Sequence, residues 1–352
     1  MKKTVVTVWL LCILFTPHGT ALGSSSPSIR VAGVVKQPLN LTIDDLRHFE
    51  SVSVRLNEVT IDNIFHGAFS YRGVSLRTLL ELAAVQKEET DFFKPVDLAV
   101  VVKNKHGKQT VLSWGEVFYR NPSEILIAFS ANPVMPHREC SSCHNPEVYQ
   151  KWFSPLKRQV GLPKLIVAND FYSDRSLEDL SAIEVVDLHP RIASKKMSNL
   201  FSPEFTVIGA VKENLKIADI SSYGHLEIMA KQVGDGKGYH GMRHFGGVPL
   251  IEIIRDAGVE PDLNTVFLVS APDGYRSLIS YGELLLSPYG RNIIIADRID
   301  NRPLKENGKF IAVLPDDLSA DRWVQAVERI EAINVDDSRN PSSPGQNPVT
   351  TP

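Results

Sequence analysis

Cysteine is nearly missing. The 352 residues hold three, and one of them, Cys12, falls in the leader described below. A chain of this size with one close pair, Cys140 and Cys143, has no disulfide framework to hold it. Its fold must rest on burial of apolar surface. Long apolar runs are missing as well. The run from Thr4 to Phe15 falls short of the roughly 20 residues that a membrane-spanning helix needs. A strong charge of one sign is also lacking, since the formal net charge is -3. That mild acidity argues against nucleic acid as a partner and gives no reason to expect an anionic membrane surface.

The leader itself is informative. Met1-Lys2-Lys3 is basic, the apolar run follows, and Ala21, Gly23 and Ser24 supply a small-residue exit. That order describes a secretory signal peptide over residues 1–23. Its removal takes two lysines and no acid, so -3 becomes -5. The mature protein is expected to be periplasmic or otherwise exported, and soluble, with no stable membrane span. The alternative, an uncleaved anchor, would need a longer apolar run.

The mature chain contains the same unit twice, a pattern worth seeking before any other. Val31-Ala32-Gly33-Val34-Val35-Lys36 matches Val207-Ile208-Gly209-Ala210-Val211-Lys212. Phe65-His66-Gly67 matches Tyr239-His240-Gly241, and Trp114-Gly115-Glu116 matches Tyr281-Gly282-Glu283. Asp174-Arg175 with Ile183-Glu184 matches Asp321-Arg322 with Ile330-Glu331. The units are placed at residues 28–190 and 204–335, with a disordered tail, rich in Pro, Ser and Asn, at 336–352. Short β-branched runs alternate with Gly and Asp turns. Helical patterns are clearest at Leu76 to Ala84, Leu250 to Ala257 and Ala320 to Val327. The fold class expected from this is α+β, as two tandem mixed domains. Between Ala128 and Arg175 the first unit is longer than the second is between Ala296 and Arg322. An insertion at about residues 135–158 accounts for the difference.

That insertion carries Cys140-Ser141-Ser142-Cys143-His144. A c-type haem needs two thiols for its vinyl groups and an imidazole for its iron. Two intervening residues let both thiols reach one porphyrin edge, and the next histidine is placed for the iron. Cys140 and Cys143 are thus the candidate covalent tethers, and His144 the candidate axial ligand. Asn145-Pro146-Glu147 then reads as a helix start. Tyr149, Trp152 and Phe153 follow at helical spacing. For the second axial position the nearest candidates are His137 and Met135; His66, His240, His244 and His106 are further ones. Two other chemistries fit the cysteines. A redox disulfide explains the pair but not His144. A zinc site could use His137, Cys140, Cys143 and His144, although adjacent Cys143 and His144 strain a tetrahedron.

The repeated unit resembles the molybdopterin-binding domain of the sulfite oxidase family. The resemblance is carried by Val31-Ala32-Gly33, by Tyr71-x-Gly73-Val74-x-Leu76-x-x-Leu79-Leu80, by Trp114-Gly115-Glu116 and by Asp174-Arg175. The second copy shows Phe245-x-Gly247-Val248-x-Leu250 and Asp321-Arg322-Trp323. It implies a sulfite-oxidase-type scaffold over most of the mature chain. It does not imply that family's chemistry. The family's molybdenum-binding cysteine would fall near Ile61 or Asp235, and neither region has one. Thiolate ligation is therefore missing, molybdopterin is not expected, and no catalytic residue is transferred.

Three functions remain in view. The first is one-electron transfer by a monohaem cytochrome with a redox protein as partner, either another cytochrome or an oxidoreductase. The second is a molybdopterin oxidoreductase that passes electrons to the haem. The third is a haem-based sensing or binding module.

Overall fold

The computed structural model describes residues 27–89, 91–134, 154–190, 192–234, 238–305 and 308–336. In the first unit the strands are β1 (Ser28–Gly33), β2 (Leu39–Thr42), β3 (Val52–Val59), β4 (Phe65–Ser75), β5 (Ala99–Asn104), β6 (Gln109–Ser113), β7 (Ile125–Pro133), β8 (Lys164–Val167) and β9 (Leu180–Val186). They form two sheets, ordered β2-β1-β9-β5-β6 and β3-β4-β7-β8. The second unit follows with β10 (Phe205–Gly209), β11 (Leu215–Ile217), β12 (Leu226–Gly234), β13 (Gly238–Pro249), β14 (Thr265–Ser270), β15 (Arg276–Ser280), β16 (Ile294–Ile299), β17 (Arg302–Pro303), β18 (Ile311–Val313), β19 (Val324–Gln325) and β20 (Arg329–Asn334). Its sheets run β11-β10-β20-β14-β15 and β12-β13-β16-β18-β19, with β17 paired to β16.

The five-stranded sheets that open the two units share one order and one register, while the second unit's other sheet adds β17 and β19. β1 lies parallel to β9 with Val31 opposite Ile183, and β10 lies parallel to β20 with Val207 opposite Ile330. Gly33 and Gly209 end the opening strands at φ +96° in both units. A side chain there would collide with the backbone of Val185 or Ala332, so glycine is required for the close approach.

The α+β expectation is corrected by the structure. The fold is mostly β, with 43% of the described residues in strand and 16% in helix. The helices that lie wholly within the described residues are α1 (Ile43–Leu46), α2 (Leu76–Ala83), α3 (Trp114–Phe118), α4 (Leu250–Asp256) and α5 (Tyr281–Leu285). Among the described residues none exceeds the eight of α2. The helical patterns at Leu76 and Leu250 do mark helices, but only of about two turns. The third pattern, from Ala320 to Val327, is a 3₁₀ turn at Ala320–Arg322 followed by β19. Its apolar spacing is helical, but Arg322 is drawn into a buried ion pair and Trp323 turns to extended backbone at ψ 131°. Tertiary contacts override the local pattern there.

Each unit has its own apolar core. Leu79, Leu80, Val100, Val102, Ile127 and Ile183 lie in the first, and Ile253, Ile254, Phe267, Ile295 and Ile330 in the second. β5 is buried on both faces because Val100 and Val102 face the first core while Ala99 and Val101 meet Val266, Leu268 and Leu278 of the second unit. This double burial explains why the run reads as continuously apolar. Arg276 of β15 also reaches Asp97 of the first unit at 2.7 Å.

Helix α2 ends on Ala84 in the left-handed region at φ 53°. The repeat places Gly258, at φ +68°, in the same position after α4. Glycine removes the steric cost that an L-residue bears there. Ala84→Gly is expected to stabilise the protein by about 1 kcal/mol, read as a higher denaturant midpoint at unchanged slope. A lower midpoint would show that flexibility of the unfolded chain outweighs the relieved strain.

Candidate functional site

The sequence-derived haem residues Cys140, Cys143 and His144 lie outside the described residues, as do His137 and Met135. What the structure does describe is where that segment leaves and re-enters the first unit. It leaves at the end of β7, where the Val134 amide donates to the Ala68 carbonyl at 2.8 Å. It re-enters at Ser154, and Leu156 is buried directly after. The Pro155 carbonyl lies close to Gly67 of β4, and Arg158 Nε donates to the His66 carbonyl at 2.8 Å. Both ends are therefore tied to the same stretch of β4.

Behind this stretch lies a buried ion cluster. Lys164 opens β8 and its side chain is almost wholly buried. Its ammonium contacts Glu58 of β3, the Tyr71 hydroxyl of β4 at 3.1 Å and Glu178 at 3.1 Å. Arg158 contacts Glu58 and, at 2.6 Å, Glu178. Glu178 also accepts from the Gly161 amide at 2.8 Å. Two carboxylates thus face two cations, and each charge has a partner. Burial pushes the Tyr71 phenol up, and its hydrogen bond to Glu58 adds to that. Burial would raise Glu178, but Lys164 and Arg158 hold it below the usual carboxylate range. A neutral, fully paired cluster of this kind anchors a segment rather than moving protons.

Sequence reasoning passed over Glu58, Arg158, Lys164 and Glu178. One signal was present: Lys164 opens the apolar run Lys164-Leu165-Ile166-Val167, where a charge is buried only with a partner. The partners come from β3 and from beyond β8, so spacing could not name them.

A second network lies between the units and explains the repeated Trp-Gly-Glu and Asp-Arg motifs. Ser113 and Glu116 form a capping box on α3, and Ser280 caps α5 through the Glu283 amide at 3.0 Å. Arg175 binds Glu116 at 2.7 Å and Asp170 at 2.8 Å. Arg322 binds Glu283 at 2.8 Å and Asp317 at 2.6 Å. The serines then cross between units. Ser280 donates to Glu116 at 2.7 Å, and Ser113 donates to Glu283 at 3.0 Å. The glycines make room: a Cβ on Gly115 would overlap Arg322, and one on Gly282 would overlap Arg175.

Arg120 breaks the symmetry: it binds Glu283 at 2.9 Å and lies 3.7 Å from Asp317, on the side of Glu283 and not of Glu116. Burial alone would raise both glutamates. The Arg322 and Arg120 guanidiniums outweigh it at Glu283 and hold that carboxyl at about 2. Burial wins at Glu116, which is pushed up. A carboxyl depressed by folding contributes stability above its ordinary value of 4.5 and loses it as pH falls toward about 2. Glu283→Gln is therefore expected to be less stable than wild type at pH 7, with the gap narrowing between pH 4.5 and about 2. Denaturant melts across that range check this; a constant gap would remove the charge from the explanation.

Other sequence candidates are dispersed. His66 is half-buried on β4, His240 and His244 are exposed on β13, and His106 sits 3.3 Å from Asp179. Ile61 lies exposed in the β3–β4 turn, and Asp235 lies outside the described residues. Among the described residues no cluster of three His, Cys, Asp or Glu side chains is arranged to hold a metal. No helix among them is long and apolar enough to cross a membrane.

No family model matches the chain. No curated protein matches it either. Among solved structures, the crystal structure of the sulfane dehydrogenase SoxCD from Paracoccus pantotrophus is similar at 14% identity and a TM-score of 0.32. The match covers 72% of this chain and 77% of that one. A likeness at that level decides neither the fold nor the activity of this chain.

Proposed function

We propose that the chain is an exported monohaem c-type cytochrome that transfers single electrons to or from a redox protein. The observation that carries this is the five-residue motif from Cys140 to His144 in a chain with no other cysteine after its leader. Cys140 and Cys143 would hold the haem, and His144 would bind its iron. When bound, the haem supplies a one-electron change at iron. The ion cluster of Glu58, Arg158, Lys164 and Glu178 supports this reading in one respect. It ties Arg158, at the end of the inserted segment, to β3 and β4. The duplicated scaffold has a positioning role in this account and no catalytic one.

A spectroelectrochemical titration of the purified protein tests the reading. One Nernstian transition with a one-electron slope, and a low-spin spectrum inert to carbon monoxide, are expected. Rapid carbon monoxide binding to a high-spin haem would favour a sensing module instead. Stoichiometric molybdenum would sink the pure-cytochrome reading.

A further inference from the structure

The two outer sheets differ at one equivalent place. Val52 pairs with Gly73 in the first unit and Leu226 with Gly247 in the second, so Glu58 corresponds to Gln232 and Tyr71 to Phe245. Ala128 pairs with Lys164, and Ala296 with Ile311, so Lys164 corresponds to Ile311. By the same offset Glu178 corresponds to Gln325. Each charged member of the first unit's cluster that lies on these strands, or directly after them, is thus replaced by an uncharged residue. Arg158 belongs to the longer connection, which the second unit lacks.

The consequence is a cavity of about 610 Å³ lined by Gln232, Phe245, Ile311 and Gln325. Its rim carries Arg243, Arg302 and Lys305, and among the described residues no carboxylate lines it. Arg243 is paired with Asp300 at 2.7 Å. Arg302 and Lys305, which follow β16 where the first unit has its insertion, have no carboxylate partner among the described residues. These cations stand out against a chain whose formal net charge is -3. The first unit fills the same space with its own side chains, so an open version is not a requirement of the fold.

We propose that this cavity binds a small organic anion: an aromatic body carrying one carboxylate or sulfonate. The aromatic body packs against Phe245 and Ile311. The anionic group meets Arg302 and Lys305, and the Gln232 and Gln325 amides orient it. An apolar floor with a few convergent polar groups suits such a ligand better than a bare inorganic ion, which leaves the floor unfilled. The site is independent of the haem.

The test uses the full mature chain and 1-anilinonaphthalene-8-sulfonate as probe, by fluorescence titration. One saturable site is expected, weakening as salt rises. Arg302→Gln/Lys305→Gln alters only exposed side chains and is expected to weaken binding about tenfold without changing the melting temperature. Gln232→Glu/Ile311→Lys transplants the first unit's ion pair and is expected to abolish binding. The rim variant decides the matter by itself if the transplant does not fold. No saturable binding by wild type, or rim-variant affinity within about twofold of it, overturns the proposal.

Discussion

Arg322→Met is expected to destabilise the protein by about 3–5 kcal/mol, the range for removing one partner of a buried ion pair. The reason is what the change leaves behind. Glu283 and Asp317 are both fully buried and would keep only Arg120 between them. Gly115→Ala should damage the same place by a different route, because its methyl group would occupy the Arg322 side chain's path. The two changes should therefore not add. Once Arg322 is shortened, the alanine meets less, and the double variant should cost clearly less than the sum of the singles. Denaturant midpoints for the four proteins supply the cycle. Additive costs, or a loss below about 1 kcal/mol for Arg322→Met, would mean that the network is not shared between the units as described.

Loss of covalent haem in Cys140→Ala/Cys143→Ala is the second large effect expected. It is all-or-none, since a c-type haem is held by thioether bonds to those two sulfurs. His144→Ala should differ in kind. The tethers remain, so haem stays with the chain, but the iron loses an axial ligand and the spectrum shifts away from six-coordinate low spin. The described apolar cores and the network between the units are built from other residues, so folding of the two units is expected to be unaffected. A cysteine variant that keeps covalent haem would assign the attachment elsewhere.

The legible parts of this fold were those written as local pattern. β1, β5 and β14 follow apolar runs, and the Gly107 and Gly274 turns follow their glycines at φ +82° and +87°. The repeated motifs were visible as a repeat, but their purpose was not. Gly115 and Gly282 were visible only as matched positions, whereas their work is to clear space for an arginine from the other unit. Nothing local to Trp114-Gly115-Glu116 names Arg322 as that neighbour. The fold class was misjudged for a related reason. Leu76 and Leu250 start real helices, but apolar spacing does not say that each stops within about two turns and that β-sheet does most of the packing. The cluster around Lys164 was hidden because its partners are far apart in the chain, and the cavity of the second unit exists only by comparison with that cluster.

The most direct measurement is a haem stain on a denaturing gel, with a pyridine haemochrome spectrum, after periplasmic expression alongside cytochrome c maturation. One covalently bound haem per chain, absent from Cys140→Ala/Cys143→Ala, is the predicted result. A colourless chain would contradict the account and leave Cys140 and Cys143 as a redox disulfide or zinc site.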